Sequence, residues 1–475
     1  MKTTTHLALS ILILGSFCMN VLSQETELTA FDGSFADLFG HSVAIDGNYA
    51  IVGAPLQGGF GTQNAGAAYI YELNGGLWTY QAKLTPPWGG NFGDQFGYSV
   101  DISGNYAIVG AINTEIYGKT QAGAAYLFAR SGSQWYLVAM LSASDADQND
   151  HFGRRVGVND LGYSIVGVAE NDDHGTSSGS AYIFEPHYGS WVQVQKLIAS
   201  DAHAGDAFGT DVAIDGTRAV VGAPANVGVP DLQSGAVYVF DRSHYGWTQS
   251  ARLTHINADV FDHLGESVDI EGTFLIAGAP FADDKTGKAY IFYYDGYVWT
   301  QFAQLAPADG APHDKFGTGV GITAGYAAVG SYLDDDLGDE SGSAYLFEQV
   351  GTAWNEIAKY TASDGLTGDR LGYRVDIDGT NLIASAHYHN VNAEDDGAAY
   401  IFGPAIGPIS PCEPIMTLAG VIAPGTYYAS DYIQANGIIP ATSQVNLVGT
   451  NYVALMPNLE IMQGAAVEIS LAGCP

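Results

Sequence analysis

An all-β fold made of seven copies of one four-stranded unit is predicted by three observations. The first is a motif of Asp, one free residue, Phe or Leu, then Gly. It stands at Asp37-Phe39-Gly40, Asp94-Phe96-Gly97, Asp150-Phe152-Gly153, Asp206-Phe208-Gly209, Asp262-Leu264-Gly265, Asp314-Phe316-Gly317 and Asp369-Leu371-Gly372. Successive Gly residues are 52 to 57 apart, a period that marks a repeat architecture. The second is the pattern inside one period, which reads as four short strands. The third lies at the chain ends, where the last copy lacks a fourth strand and the first is preceded by a spare one. Four antiparallel strands repeated seven times and closed end to end describe a seven-bladed β-propeller closed by the N-terminal strand.

The fifth copy shows the strands in order. Ser267-Val268-Asp269-Ile270 alternates with period two, and Glu271-Gly272-Thr273 turns the chain. Leu275 to Ala279 is a second strand stopped by Pro280, Lys288 to Phe292 a third, and Trp299 to Leu305 a fourth. The Trp of the fourth strand recurs at 78, 135, 191, 247 and 354. The seventh copy has three strands through Phe402 and then meets Gly403-Pro404. Leu28 stands eleven residues before Phe39, the offset that Leu141, Leu197, Leu253 and Leu305 keep before their own Phe or Leu. Residues Glu25 to Ala30 therefore complete blade seven and remove an open sheet edge.

These residues resemble the FG-GAP repeat family, the propeller also found in integrin α subunits. The likeness rests on Phe39-Gly40 with Gly53-Ala54-Pro55, Phe208-Gly209 with Gly222-Ala223-Pro224, and Gly278-Ala279-Pro280, each followed by a Gly-x-x-Tyr-x-Phe type strand. The short turns look more like bacterial secreted members than integrins. The resemblance implies calcium in an Asp-rich cage between the first and second strands. That position here holds only Asp46-Gly47-Asn48, Ser103-Gly104-Asn105, Asp215-Gly216-Thr217 or Asp378-Gly379-Thr380, two-residue hairpin turns too short to wrap an ion. The implied site does not carry over.

The 475-residue chain has 61 Gly and a net charge of −35, and only 14% of it is charged. Nucleic-acid binding needs clustered Lys and Arg, so this balance argues against it. Lys2, the apolar run Leu7 to Leu14 and Val21-Leu22-Ser23 have the order of a secretory signal over residues 1–23. The expected organisation is then a propeller over 24–404, a Pro/Gly linker over 405–411 and a C-terminal β module over 412–475. No transmembrane segment is expected in the mature chain, and the protein is read as a secreted or cell-surface monomer.

Cys412 and Cys474 are the two cysteines left after that cleavage, and in an exported chain they are read as a disulfide. A ring of that size would add roughly 4 kcal/mol. Within it Val445, Val453, Ile461 and Ile469 recur at eight-residue steps, which suggests a stack of short β rungs. The stretch loosely resembles β-stack modules appended to exported proteins of Bacteroidetes.

The Asp of the motif occurs in every copy and is read as a turn former, because catalysis needs a residue once. Three residues after each Phe or Leu stand Ser42, Ser99, Arg155, Asp211, Ser267, Gly319 and Arg374, expected near the axis. Arg155 and Asp211 are expected to pair there, since an unpaired buried charge is costly. Acidic loops between the second and third strands include Asp172-Asp173, Asp283, Asp284, Asp334, Asp335, Asp336, Asp339, Asp395 and Asp396. They read first as solvated turn residues and secondly as weak calcium ligands, the one cofactor considered. Gly175-Thr176-Ser177-Ser178-Gly179 matches a hydrolase nucleophile pattern but lies between strands with no helix to follow, so it is read as chance. His387 and His389 offer two nitrogens, and no further zinc ligand is near in sequence.

The resulting expectation is a non-enzymatic binding or adhesion protein that meets an extracellular protein or glycan through loops on one propeller face. A propeller hydrolase or lyase acting on an extracellular glycan or phosphodiester is the alternative, and a structural surface-layer component a further one.

Overall fold

The computed structural model describes residues 25–403, apart from 59–64, 227–233, 257–258 and 392, and beyond them the strands of the C-terminal segment. Contacts gather Glu25–Gly403 into one compact unit, and Pro404–Pro475 falls in another. The expected signal peptide and the Cys412–Cys474 bridge lie outside the described residues. Among the described residues no helix is long and apolar enough to cross a membrane.

The first unit is seven four-stranded antiparallel sheets. Blade one runs Ser42–Asp46, Tyr49–Ala54, Ala67–Asn74, Leu77–Leu84, each strand pairing with the next. Because a neighbouring blade covers each face, third strands are buried over their first five residues in six blades, while blade five opens on half-buried Lys288. Fourth strands alternate between half-buried and exposed, as an outer edge requires. Each motif Phe fills the blade core: Phe39 lies 5.4 Å from Tyr69 and 6.2 Å from Tyr71, ring centre to ring centre, and Phe208 repeats this with Tyr238 and Phe240.

Blade seven is Val375–Asp378, Asn381–Ala386 and Ala398–Phe402 plus the N-terminal Glu25–Leu28. Glu25 pairs with Phe402 and Leu28 with Ala399, which closes the ring.

All seven motif Asp residues are buried. Each carboxylate accepts the backbone N–H three residues earlier, from Ser34 to Asp37 at 2.8 Å through Leu366 to Asp369 at 2.6 Å. The structural reading of this Asp holds in every copy.

Joints between blades are made by backbone. Gly97 has φ +95°, and a Cβ there would stand 2.1 Å from the Ala67 carbonyl oxygen of blade one, so only Gly fits. Beside it Gly66 and Phe96 form a parallel bridge, repeated between later blades from Gly123 and Phe152 to Gly342 and Leu371.

In the C-terminal segment Gly425–Ala429, Gln444–Gly449 and Ala466–Leu471 form one parallel sheet, and Ile415–Leu418, Tyr432–Ala435 and Tyr452–Leu455 another. Ile438–Ile439 pairs with Glu460–Ile461 in a third. The eight-residue recurrence is therefore not a rung height. Val445, Val453 and Ile461 fall in three different sheets, and Val445 pairs with Val467.

Deleting Glu25 to Ala30 should bare the edge of blade seven and lower Tm by about 10 °C or more in calorimetry. An unchanged Tm would mean that the closing strand does not hold the ring.

Candidate functional site

Strand direction alternates, so the second-to-third loops and the fourth-to-first connections of all blades emerge at the same end. At the axial mouth of that end stands the residue after each Phe-Gly or Leu-Gly: His41, Tyr98, Arg154, Thr210, Glu266, Thr318 and Tyr373. Unlike the motif itself, this position changes from blade to blade. His41 Nδ1–H donates to the Tyr98 carbonyl at 2.9 Å, and its ring lies 5.8 Å from His387, which in turn lies 4.7 Å from Tyr373. Burial pushes His41 down to about 4 and holds His387 well below the ordinary imidazole value, so both are neutral at pH 7.

One step inward are the expected axial residues. Arg155 Nε lies 3.4 Å from Asp211 Oδ1, and its Nη1 donates to the Arg154 carbonyl at 2.7 Å. Arg374 donates to the Thr318 carbonyl at 3.2 Å. Ser42, Asp211 and Ser267 each accept a backbone N–H from the following blade, of Val100, Val268 and Val320. Deeper still are Asp101, Asp269 and Asp376. Each accepts the N–H of its own successor and one from the next blade: Val158 to Asp101, Ile322 to Asp269, Ile45 to Asp376, at 2.7 to 2.8 Å. Two axial cavities of about 110 and 260 Å³ flank this acidic ring.

The acidic loops are tied into the fold in a way their sequence does not show. In blade six Lys359 Nζ reaches Asp309 at 2.8 Å, Asp334 at 2.8 Å and Asp336 at 2.5 Å, while the Tyr345 hydroxyl donates to Asp309 and Asp334. Asp283 is held by Lys288 at 2.6 Å. The Asp335 and Asp339 carbonyls accept the N–H groups of Gly338 and Gly368. Asp284 sits at φ +57° in a tight turn. The Asp395 N–H donates to Asn390, and buried Asp396 accepts from Val391 N–H.

The Lys359 arrangement is a repeated device. The fourth-strand residue paired with the third-strand Tyr is Lys83, Lys196, Arg252 or Lys359 in blades one, three, four and six. Each binds an Asp from the connection entering its blade: Asp32 at 2.6 Å, Asp145 at 2.7 Å, Asp201 at 2.9 Å and Asp309 at 2.8 Å. Blade five has Gln304 opposite Tyr290, and blade two departs further, with Trp88-Gly89 in a connection one residue longer where the Asp stands elsewhere and Met140 at the Lys position. Trp88 is 100% exposed, Tyr117 of the neighbouring loop 87% and Phe92 71%. Asn113 Nδ2 donates to the Gly93 carbonyl at 3.0 Å, which sets those two loops side by side. Blade seven departs differently, with Glu27 where the cation belongs.

Comparison with known families gives seven matches to the FG-GAP repeat, at residues 22–71, 78–128, 135–184, 191–240, 247–292, 299–347 and 354–402. The chain belongs to the FG-GAP repeat family. No curated protein matches it. Similar solved structures include a chain from the crystal structure of the mitotic checkpoint complex, at 13% identity and TM-score 0.48, covering 84% of this chain and 98% of that one. Another is Sqt1 of Saccharomyces cerevisiae, at 11% identity and TM-score 0.45, covering 79% and 98%. At these values neither bears on function.

Within this FG-GAP propeller six of the seven first hairpins are two-residue turns, blade three having the five-residue loop 159–163, and carboxylates of three of the short turns are used between blades. Asp46, Asp215 and Asp378 accept the N–H of Gly104, Gly272 and Gly47 in the next blade. The Gly175–Gly179 stretch joins the strands Ser164–Val168 and Ser180–His187, without the helix a nucleophile elbow needs. Sequence reading missed the mouth position and the Tyr–Asp–cation device. Aligning the seven copies column by column would have exposed both.

Burial pushes Asp101 up to about 7 and raises Asp269 and Asp376, which also repel one another across the axis. A carboxyl raised on folding contributes stability that is complete below about pH 4 and lost as pH climbs through its folded value. Asp101→Asn should therefore show a Tm that changes less between pH 5 and pH 8 than the parent's, by about 2 to 5 °C. An identical pH dependence would show that Asp101 keeps an ordinary carboxylate pKa.

Proposed function

We propose that this FG-GAP protein is a secreted or cell-surface binding protein that holds an extracellular protein or glycan on the face bearing its long loops, and that it does no chemistry on that ligand. The observation that carries this reading is the blade-two sector, where Trp88, Phe92 and Tyr117 stand exposed on a rigid ring. Large aromatics held on ordered backbone give contact area at little entropic cost and dominate recognition surfaces. The non-repeated mouth residues His41, Tyr98, Arg154, Glu266 and Tyr373 lie at the same end and supply polar specificity beside that apolar anchor. Acids around the rim keep the protein soluble despite the exposed rings.

The test is a screen of the full chain against arrays of glycans and extracellular proteins, followed by titration of the strongest binder. Trp88→Ala or Tyr117→Ala should weaken that binding at least about 10-fold, with Tm within about 2 °C of the parent. Binding unchanged in both variants would overturn the reading, as would steady turnover of a polymer that stops in Arg155→Ala or Arg374→Ala.

A further inference from the structure

In four blades the pocket beneath the third-strand Tyr is completed by a Lys or Arg that neutralises the entering Asp. Blade seven keeps the Tyr and the Asp: the Tyr400 hydroxyl donates to Asp364 Oδ1 at 2.8 Å. Its fourth strand is the N-terminal one, and the residue paired with Tyr400 is Glu27. An acid has replaced the cation. Opposite it, where blade six has Asp334 and blade three Asn171, stands His389, 4% exposed.

The donor atoms of Glu27, Asp364 and His389 all lie within 4.8 Å of one another. His389 is aimed by a buried carboxylate: its Nδ1 meets Asp369 Oδ2 at 2.8 Å, which leaves Nε2 facing the cluster. Nε2 lies 3.6 Å from Asp364 Oδ2, outside hydrogen-bond reach. Two ligands bound about 2.0–2.1 Å from a tetrahedral zinc ion are about 3.4 Å apart, so this pair already has nearly the required separation. Glu27 and Asp364 are exposed and can close the remaining gap. Tyr400 on one ligand and Asp369 on another form the outer shell that orients metal ligands.

We infer that blade seven carries a divalent transition-metal site, most suited to zinc, formed by Glu27, Asp364 and His389 in the place that lysine or arginine takes in four other blades. One imidazole and two carboxylates favour zinc over calcium, which takes six or more oxygens. The ion would join the N-terminal strand to the loop of Asp364 and the loop of His389, fastening the ring where its ends meet. This site is separate from the first-hairpin position, and it supplies the third ligand that sequence spacing could not give His389.

Zinc chloride titrated calorimetrically into chelator-treated full chain at pH 7.5 should bind one ion per chain and raise Tm, while calcium chloride at the same concentration does neither. Glu27→Lys, which restores the lysine of the other blades, should abolish this binding and make Tm independent of zinc without lowering it. Asp364→Asn should weaken it at least 10-fold. No zinc uptake by the parent, the result if protonated His389 itself serves as the cation, would overturn the inference. So would uptake of equal affinity in Glu27→Lys and Asp364→Asn, which would place the ion elsewhere. Loss of zinc here with intact aromatic-sector binding would leave the proposed function standing.

Discussion

The ring depends on a close approach of backbone to backbone at each blade junction, where the Gly of every Phe-Gly or Leu-Gly sits under a carbonyl of the preceding blade. With φ between +85° and +95° at all seven of these glycines, no other residue is at ease there. The preceding Phe or Leu is fully or almost fully buried. One dipeptide thus fixes both the packing within a blade and the distance to its neighbour. Side chains add a second inter-blade fastening at the axis, where Asp101, Asp269 and Asp376 each take a backbone N–H from the following blade. Because backbone sets the spacing, the columns of the repeat that do not serve the joint are free to diverge.

That freedom is used unevenly. The Tyr–Asp–cation device at the loop face is kept in four blades, neutral in blade five where Gln304 faces Tyr290, given up for exposed aromatics in blade two, and inverted in blade seven by Glu27. Blades two and seven have different consequences. An apolar sector on a rigid rim is a surface for capturing a partner, whereas an acid and a buried His facing Asp364 form a pocket for a cation. Both follow from a change at the same columns of the repeat.

The fold was legible because it is written seven times. Period, strand alternation, two-residue turns and the Leu28 offset each point to the same closed ring, and the motif Asp could be recognised as structural because it never varies. The site was less legible because its contacts join residues far apart in sequence. Lys359 meets Asp309 and Asp334 only after three segments fold together. Glu27 and Asp364 come from opposite ends of the propeller chain, so no local spacing could supply His389 with partners. The acidic loops were read from their shared loop position as solvated turns or weak calcium ligands, and what their sequence did not show is the cation across from Tyr345 on the next strand, Lys359, which reaches Asp334 and Asp336. In the C-terminal segment an eight-residue recurrence was read as a stack of short β rungs; the strands do stack in parallel, but the eight-residue step leads from one sheet to another, and Val445 stacks on Val467.

If shared columns hold the ring and divergent columns carry recognition, the two kinds of position should respond oppositely to substitution. The most direct measurement is calorimetric unfolding of Gly97→Ala beside the double variant Trp88→Asp, Met140→Lys, which rebuilds the polar device in blade two. The expected result is a Tm loss of about 10 °C or more for the single glycine change, since its Cβ would stand 2.1 Å from a carbonyl oxygen, and a Tm within about 2 °C of the parent for the double variant. A tolerated Gly97→Ala, or a double variant that unfolds as early as the glycine one, would contradict the account.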